Sequence, residues 1–376
     1  MRALILAGGE GTRLRPLTLT RPKPALRLVD RPFIQYMVDW VARHGIEEIV
    51  IACGFGAGAV REALEGHRGE GPRIDYVEEP QPLGTAGPLR LAADEGLLGE
   101  RFLVLNGDVL SDLDLTALMR SHEAEKAVAT LALYPVEDPS SYGLVRRVGG
   151  PDAPGAAPAA PSGAVRSFLE KPSAAEVDTD EVSAGAYVIE RELLDLIPGG
   201  HPVSIEREVF PRLVGHGLYG HRLEGYWMDI GTPERYLRAS WDILEGACAT
   251  EAGARLGGVG LLVEEGSRVD PAASVLPPAL IEADVVVERD AAVGARAVIG
   301  RGAEIGAGAT VSGSVVLDGA RIGPDASVHG AILGPGVAVG EGARVGPGVV
   351  VGEGARIEPG IEITDGSRLA PGEVVS

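Results

Sequence analysis

From residue 1 to about 245, short apolar runs alternate with amphipathic segments, the pattern of strands and covering helices in an α/β domain. Ala3 to Leu6, Ile49 to Ala52 and Phe102 to Leu105 predict strands. Each is almost continuously apolar, as parallel strands covered on both faces are. Between the first two, Phe33, Tyr36, Met37, Trp40 and Val41 recur at helical spacing and predict a helix whose apolar stripe is core. From Val148 to Val165 the chain is mostly Gly, Ala and Pro, without period or apolar bulk, and predicts a mobile loop joining two strands.

After about residue 250 the period changes to six. β-Branched residues recur at Val293, Ile299, Ile305 and Val311, then at Val339, Val345, Val351, Ile357 and Ile363. Glycine follows many of them, at Gly294, Gly300, Gly306, Gly340, Gly346 and Gly352, where a sharply turning coil tolerates little side chain. The pattern resembles the left-handed β-helix of hexapeptide-repeat proteins. Each coil of such a rod buries its face only against its neighbours. The expected architecture is therefore a Rossmann-like α/β domain over 1–245, with a mostly parallel mixed sheet, followed by a left-handed β-helix over 255–376.

Composition narrows the function. A formal charge of −20 repels phosphate backbones and anionic lipid at long range, so nucleic acid and membrane are excluded as expected partners. Cys53 and Cys248 are too few for a disulfide framework and have no metal-ligand spacing. No run approaches the roughly 18 apolar residues of a membrane span, and the first residues reach glycine and Glu10 too soon for a signal peptide. These features predict a cytoplasmic protein.

The chemistry begins at residues 4–18, where the first strand runs into Gly8, Gly9, Glu10, Gly11, Thr12 and Arg13, and the run closes with Arg21-Pro22-Lys23-Pro24. Glycines let backbone N–H groups approach phosphate oxygens, and open α/β sheets bind ligands at the carboxyl ends of their strands. A dinucleotide fingerprint needs a helix directly afterwards, which Pro16, Pro22 and Pro24 disfavour. Lysine usage is a second signal. Lys23, Lys126 and Lys171 are the only lysines among 34 basic residues, so a retained lysine marks a place for a compact ammonium. Lys126 lies in a polar stretch and reads as solvated.

The whole run resembles the signature of sugar-1-phosphate nucleotidyltransferases. The resemblance implies that Leu6, Gly8, Gly9, Gly11, Thr12 and Arg13 wrap a nucleoside triphosphate, with Arg13 and Lys23 on its phosphates. It implies further that Asp108, after Asn106 and Gly107 at the end of the third strand, and Asp229, in the run Trp227-Met228-Asp229-Ile230-Gly231, hold Mg2+. Two carboxylates, phosphate oxygens and water suit that hard cation. Asp229 alone could instead cap a helix before Pro233. The Glu170-Lys171-Pro172 motif implies that Glu170 accepts from sugar hydroxyls and Lys171 contacts the sugar phosphate, with Asn106, Gly107, Gly143 and Gly185 completing that side. Ser183 stands where relatives usually carry asparagine.

The stretch from Glu78 to Gly87 resembles the base-reading loop of the mannose-1-phosphate guanylyltransferase branch, implying nucleotide contacts from Glu79, Gly84 and Thr85. An ionised carboxylate at Glu79 suits the paired N–H donors of guanine. Residues Ser204 to Pro211 also look like that branch. The expected reaction joins GTP to mannose 1-phosphate, giving GDP-mannose and pyrophosphate. The alternatives are a glucose-1-phosphate thymidylyl- or uridylyltransferase, a non-catalytic sugar-nucleotide sensor, and an acyltransferase using the rod, whose one histidine is His329. A homo-oligomer formed through the β-helix is expected.

Overall fold

The computed structural model describes residues 1–65, 71–151 and 160–376. Strand β1 (Arg2–Ala7) leads through three short helical turns to a small hairpin of β2 (Arg27–Leu28) and β3 (Arg31–Pro32), then to α1 (Phe33–Arg43). There follow β4 (Glu48–Cys53), α2 (Ala57–Glu65), β5 (Arg73–Glu78), α3 (Gly87–Asp94), β6 (Arg101–Asn106), β7 (Val109–Ser111), α4 (Leu115–Glu125) and β8 (Ala129–Pro135). The α/β part closes with β9 (Gly143–Arg147), β10 (Ser162–Glu170), β11 (Glu181–Glu190), α5 (Phe210–Leu213), β12 (Leu218–Arg222), β13 (Trp227–Asp229), α6 (Pro233–Leu244) and α7 (Glu251–Leu256). Packing divides the chain into two units: Met1–Gly9 with Met37–Trp227, and Glu10–Tyr36 with Met228–Ser376.

Among the described residues, the first unit is built on a nine-stranded sheet in the order β5-β4-β1-β6-β11-β8-β12-β10-β9. Strands β5, β4, β1 and β6 are parallel, and in register Leu6 lies between Ala52 and Asn106. The other half is chiefly antiparallel: β11 opposes both β6 and β8, and β10 opposes both β12 and β9. The continuous apolar runs all fall in the parallel half, so they could not announce this antiparallel share. Leu4, Val50, Val104 and Tyr187 of the strands pack with Leu89 and Ala92 of α3 and Phe210 of α5 in one core.

The segment expected as a loop over 148–165 is shorter than predicted. Ser162, Gly163 and Ala164 already pair with β12, and Gly163 is admitted because a Cβ there would sit 2.0 Å from the Val148 carbonyl oxygen. Its centre, 152–159, lies outside the described residues. A buried ion pair ties β9 to β11: Arg147 donates to both oxygens of Glu181, at 2.9 and 2.8 Å, with both side chains fully buried.

The rod in the second unit has three parallel sheets of seven, seven and six short strands, which the chain visits in turn, an arrangement consistent with a left-handed β-helix. Ile281 pairs with Ile299, 18 residues on, whereas Ile299 pairs with Val316, 17 on. The inward step shortens from six residues to five between Val311 and Val316, and again between Val328 and Leu333. These two short steps are why the six-residue period shows in the sequence as two separate blocks. Alanine, valine, isoleucine and leucine fill the interior.

Two kinds of glycine serve this coil, and the turn itself is not made by those noted in the sequence. A Cβ on Gly340 would meet the backbone nitrogen of Pro359 in the next coil at 2.4 Å, so Gly340 is there for close stacking. The left-handed corner comes two residues later at Gly342, with φ +65° and open space around it. Among the described residues no helix is long and apolar enough to cross a membrane.

Candidate active site

In the first unit the carboxyl ends of β1 and β6 are brought together by their register. Gly107 donates its N–H to the Leu6 carbonyl at 2.9 Å, and a Cβ there would lie 2.2 Å from that oxygen, so only glycine fits. Gly8 sits under Glu79: a Cβ on Gly8 would fall 2.2 Å from Glu79 Oε1. Glu79 Oε2 accepts the Leu83 N–H at 2.9 Å, closing the loop that follows β5, and burial raises the pKa of this carboxyl. Gly84, at φ +74°, abuts the Val203 backbone.

Thr85 ties two segments together. Its hydroxyl donates to Glu206 at 2.6 Å and accepts the Ile205 N–H at 2.9 Å, pinning the π-helical turn over Ile205–Val209 to the loop before α3. Glu206 also accepts from Ser204 Oγ at 2.9 Å.

Among the residues expected on the sugar side, Gly185 at φ +72° leaves room for Asn106, whose Nδ2 would otherwise lie 2.9 Å from a Cβ. Asn106 Oδ1 is buried and accepts no hydrogen bond from the described residues. Pairing of β11 with β8 breaks between Ser183 and Tyr187, lifting the backbone at Gly185 out of the ladder, and Trp227 Nε1 holds it there by donating to the Ala184 carbonyl at 2.8 Å. Ser183 Oγ reaches the Tyr187 hydroxyl at 3.3 Å.

Gly143 faces Phe168 and Glu170: a Cβ there would stand 2.5 Å from the Phe168 ring and 3.3 Å from Glu170 Oε2. Lys171 takes a left-handed φ of +54° and donates its N–H to the Tyr142 carbonyl at 2.9 Å. Burial raises the Glu170 pKa and nearby Glu206 adds to the rise, while Lys171 and Arg207 oppose it. Glu206 and Arg207 therefore join the predicted pair of Glu170 and Lys171. The sequence signal for them is the run from Ser204 to Pro211, which reads as a branch marker without assigned roles.

In the second unit the residues expected to hold phosphate fold on one another. Gly11 has φ +63°, its carbonyl accepts from Thr18 Oγ1 at 2.9 Å, and a Cβ on it would come within 3.1 Å of Lys23 Cβ. Lys23 is only 7% exposed, which favours a role for its charge over a solvated one. Thr12 opens the 3₁₀ turn that carries Arg13.

Arg13 and Asp229 both border Gly231, where a Cβ would lie 2.6 Å from Arg13 Nη2 and 2.7 Å from Asp229 Oδ1. Asp229 accepts the Gly231 N–H at 3.1 Å and pairs with Arg235. It is not the cap of α6: Thr232 is, accepting from the Arg235 N–H. Sequence reasoning misses Arg235 because only the turn into α6 brings it back to Asp229.

Among the described residues no three His, Cys, Asp or Glu side chains converge on one point. A cation bound through one or two carboxylates and otherwise through phosphate and water is what Mg2+ tolerates best. Asp108 belongs to the first unit and Asp229 to the second.

Comparison with known proteins matches residues 2–246 to the family described as nucleotidyl transferase and residues 275–375 to the GMPPB C-terminal domain. The Mannose-1-phosphate guanylyltransferase of Mycobacterium tuberculosis (strain ATCC 25618 / H37Rv) is 36% identical over 90% of this chain and 81% of that protein. The Mannose-1-phosphate guanyltransferase of Saccharomyces cerevisiae (strain ATCC 204508 / S288c) is 39% identical over 63% of each. Against that yeast relative the chain thus spans less than two thirds of its partner's length. An apo UDP-glucose pyrophosphorylase superposes on 64% of the chain and 96% of its own length, with TM-score 0.55 and 22% identity. HddC from Yersinia pseudotuberculosis covers 64% of the chain and 97% of its own, with TM-score 0.52 and 24% identity. Both speak for the fold alone. With both its parts matched, the chain belongs to the nucleotidyl transferase family and ends in the GMPPB C-terminal domain.

Proposed function

We propose that this protein is a mannose-1-phosphate guanylyltransferase, joining GTP to mannose 1-phosphate with release of pyrophosphate. The observation that carries the reading is the likeness, over 90% of the chain, to a protein of that name. A sugar-phosphate oxygen attacks the α-phosphorus in line; its new P–O bond forms as the α–β bridging bond breaks, and pyrophosphate leaves with the electron pair. The attacking oxygen is already ionised near neutral pH, so no general base is needed. Arg13 and Lys23 hold the departing phosphates where charge develops. Glu170 and Lys171 bind and orient the sugar phosphate, with the free Asn106 acceptor available to a sugar hydroxyl.

Asp108 and Asp229 are the proposed protein ligands of Mg2+, which when bound neutralises triphosphate charge. For Asp229 this requires sharing its carboxylate with Arg235. Glu79 reads guanine through a carboxylate held against Gly8. The functional division is a catalytic domain over 1–245 and a β-helix domain over 255–376, in a cytoplasmic enzyme that self-associates through the rod.

The test is pyrophosphate release with magnesium, crossing GTP, dTTP, UTP and ATP against mannose, glucose and galactose 1-phosphates. Preference for GTP with mannose 1-phosphate is expected. Another productive pair would overturn the substrate assignment, and no turnover with any pair would overturn the catalytic reading in favour of a sugar-nucleotide sensor.

A further inference from the structure

The stacking position after an inward β-branched residue of the rod is often glycine, as at Gly300, Gly306, Gly340 and Gly352, because the next coil's backbone leaves no room for a Cβ. An early coil departs from this. Ile281 pairs with Ile299, so Glu282 stands where the following coil has Gly300. Its side chain is fully buried, which sets it apart from the other charged residues described in the rod. Arg27, from the short hairpin just after Lys23, places Nη2 against both of its oxygens. Arg27 Nη1 lies 3.6 Å from Asp318, two coils on, and the Arg301 N–H of the coil between donates to Glu282 at 3.2 Å.

The same segment is held at further points, all in the second unit. The Tyr236 hydroxyl of α6 donates to the Arg27 carbonyl. Asp30 pairs with Arg255 of α7 at 3.2 Å, and Arg31 with Glu251 at 2.8 Å. Burying charge is a poor way to gain stability, since the desolvation cost offsets much of the attraction and an apolar pair would serve as well. The cluster is also incompletely satisfied: Arg27 Nε and Asp318 Oδ1 are buried without hydrogen-bond partners among the described residues. What a two-oxygen contact on a fully buried carboxylate does fix is the register of one segment against another.

The geometry points to Glu282 and Asp318 of the β-helix as positioning residues for nucleotidyl transfer, holding Arg27 and so the chain that carries Lys23 in its working conformation. The rod thereby takes part in catalysis without touching substrate. This rests on the proposed role of Lys23, and the experiment separates the two.

In the full-length protein, Glu282→Gln, Glu282→Asp and Asp318→Asn are compared with wild type by thermal melting, by amide exchange over residues 17–31, and by initial rates varying GTP and mannose 1-phosphate separately. Glu282→Gln is expected to stay folded, to speed exchange over residues 17–31 at least ~5-fold while β1 is unchanged, and to lower kcat/KM for GTP about tenfold with less than a twofold change in KM for mannose 1-phosphate. Glu282→Asp is expected to restore part of the loss. Wild-type exchange in folded Glu282→Gln would overturn the positioning role whatever the substrates are. Faster exchange with unaltered GTP kinetics would keep the anchor and overturn its link to Lys23. If Glu282→Gln does not fold, Asp318→Asn, at the half-exposed edge of the cluster, gives the same readouts, and unchanged exchange and kinetics there would overturn the proposal. A wild type inactive with every substrate pair fails the functional reading alone, since amide exchange still judges the anchor.

Discussion

In the proposed mechanism Lys23 is a fixed cation and Asp108 a metal carboxylate. A fixed cation or a metal carboxylate acts on charge that grows in the transition state, so its removal falls mainly on kcat. Lys23→Ala and Asp108→Ala are each expected to lower kcat about 100- to 1,000-fold with the fold intact, measured by pyrophosphate release beside a melting curve. Glu282 makes a different prediction. Burial and the neighbouring carboxylates of Asp318 and Glu264 push its pKa up to about 7, against the opposing pull of Arg27. Because the folded value is raised, the associated stability is present below about pH 4.5 and lost as pH rises through about 7. Relative to Glu282→Gln, wild type should therefore lose about 3 kcal/mol between those limits and nothing further above them, checked by urea unfolding across pH. Cys53 fits the inert role its burial suggests, with its thiol pKa raised to about 12.

Among elements, the rod and the sheet fail in different ways. In the coil, Gly340→Ala forces a methyl against the Pro359 backbone and is expected to cost about 1–3 kcal/mol, whereas Gly342→Ala meets open space and costs only the left-handed backbone term of about 1–2 kcal/mol. Thermal melting of the two variants, with Gly340→Ala the lower, checks the distinction. In the sheet, Glu181→Ala leaves Arg147 charged, buried and unpaired, and is expected to cost about 3–5 kcal/mol by denaturant unfolding. Loss at that point would loosen β9 and β11, which carry Gly143 and Gly185. The strands over 3–6, 49–52 and 102–105 and the helix at α1 are legible in the sequence because their apolar pattern is local. The β11 bulge, the work of Thr85 and the nearness of Glu206 to Glu170 are not, because each depends on residues far apart in sequence. The hexads are visible except at the two steps of five, from Val311 to Val316 and from Val328 to Leu333.

At the scale of the molecule, the sequence suggests a break near residue 250, while the packing puts residues 10–36 with the rod. That grouping is carried by Glu282, where the next coil has Gly300, and by Asp318, Glu251 and Arg255, and nothing local says what these charges bind. A fragment ending at residue 245 keeps Tyr236 but deletes Glu251, Arg255, Glu282 and Asp318, each of which contacts the segment after Lys23. It is expected to lose at least ~10-fold in kcat/KM for GTP and to be cut by protease first within 10–36, read by mass spectrometry of early digestion products.

The span between Arg27 and Glu282 also sets an order of events during synthesis. Arg27 leaves the ribosome 255 residues before the carboxylate that receives it. At about 5–20 residues per second that is a wait of about 13–50 s. Through that interval β1 can already pair with β4 and β6, yet the phosphate loop has no anchor in the rod. If the proposed anchor is needed for turnover, the nascent chain is inactive until the first coils have emerged and closed on the hairpin. A premature stop before those coils is then expected to yield a chain that has its signature motif but lacks the contacts proposed to hold it still.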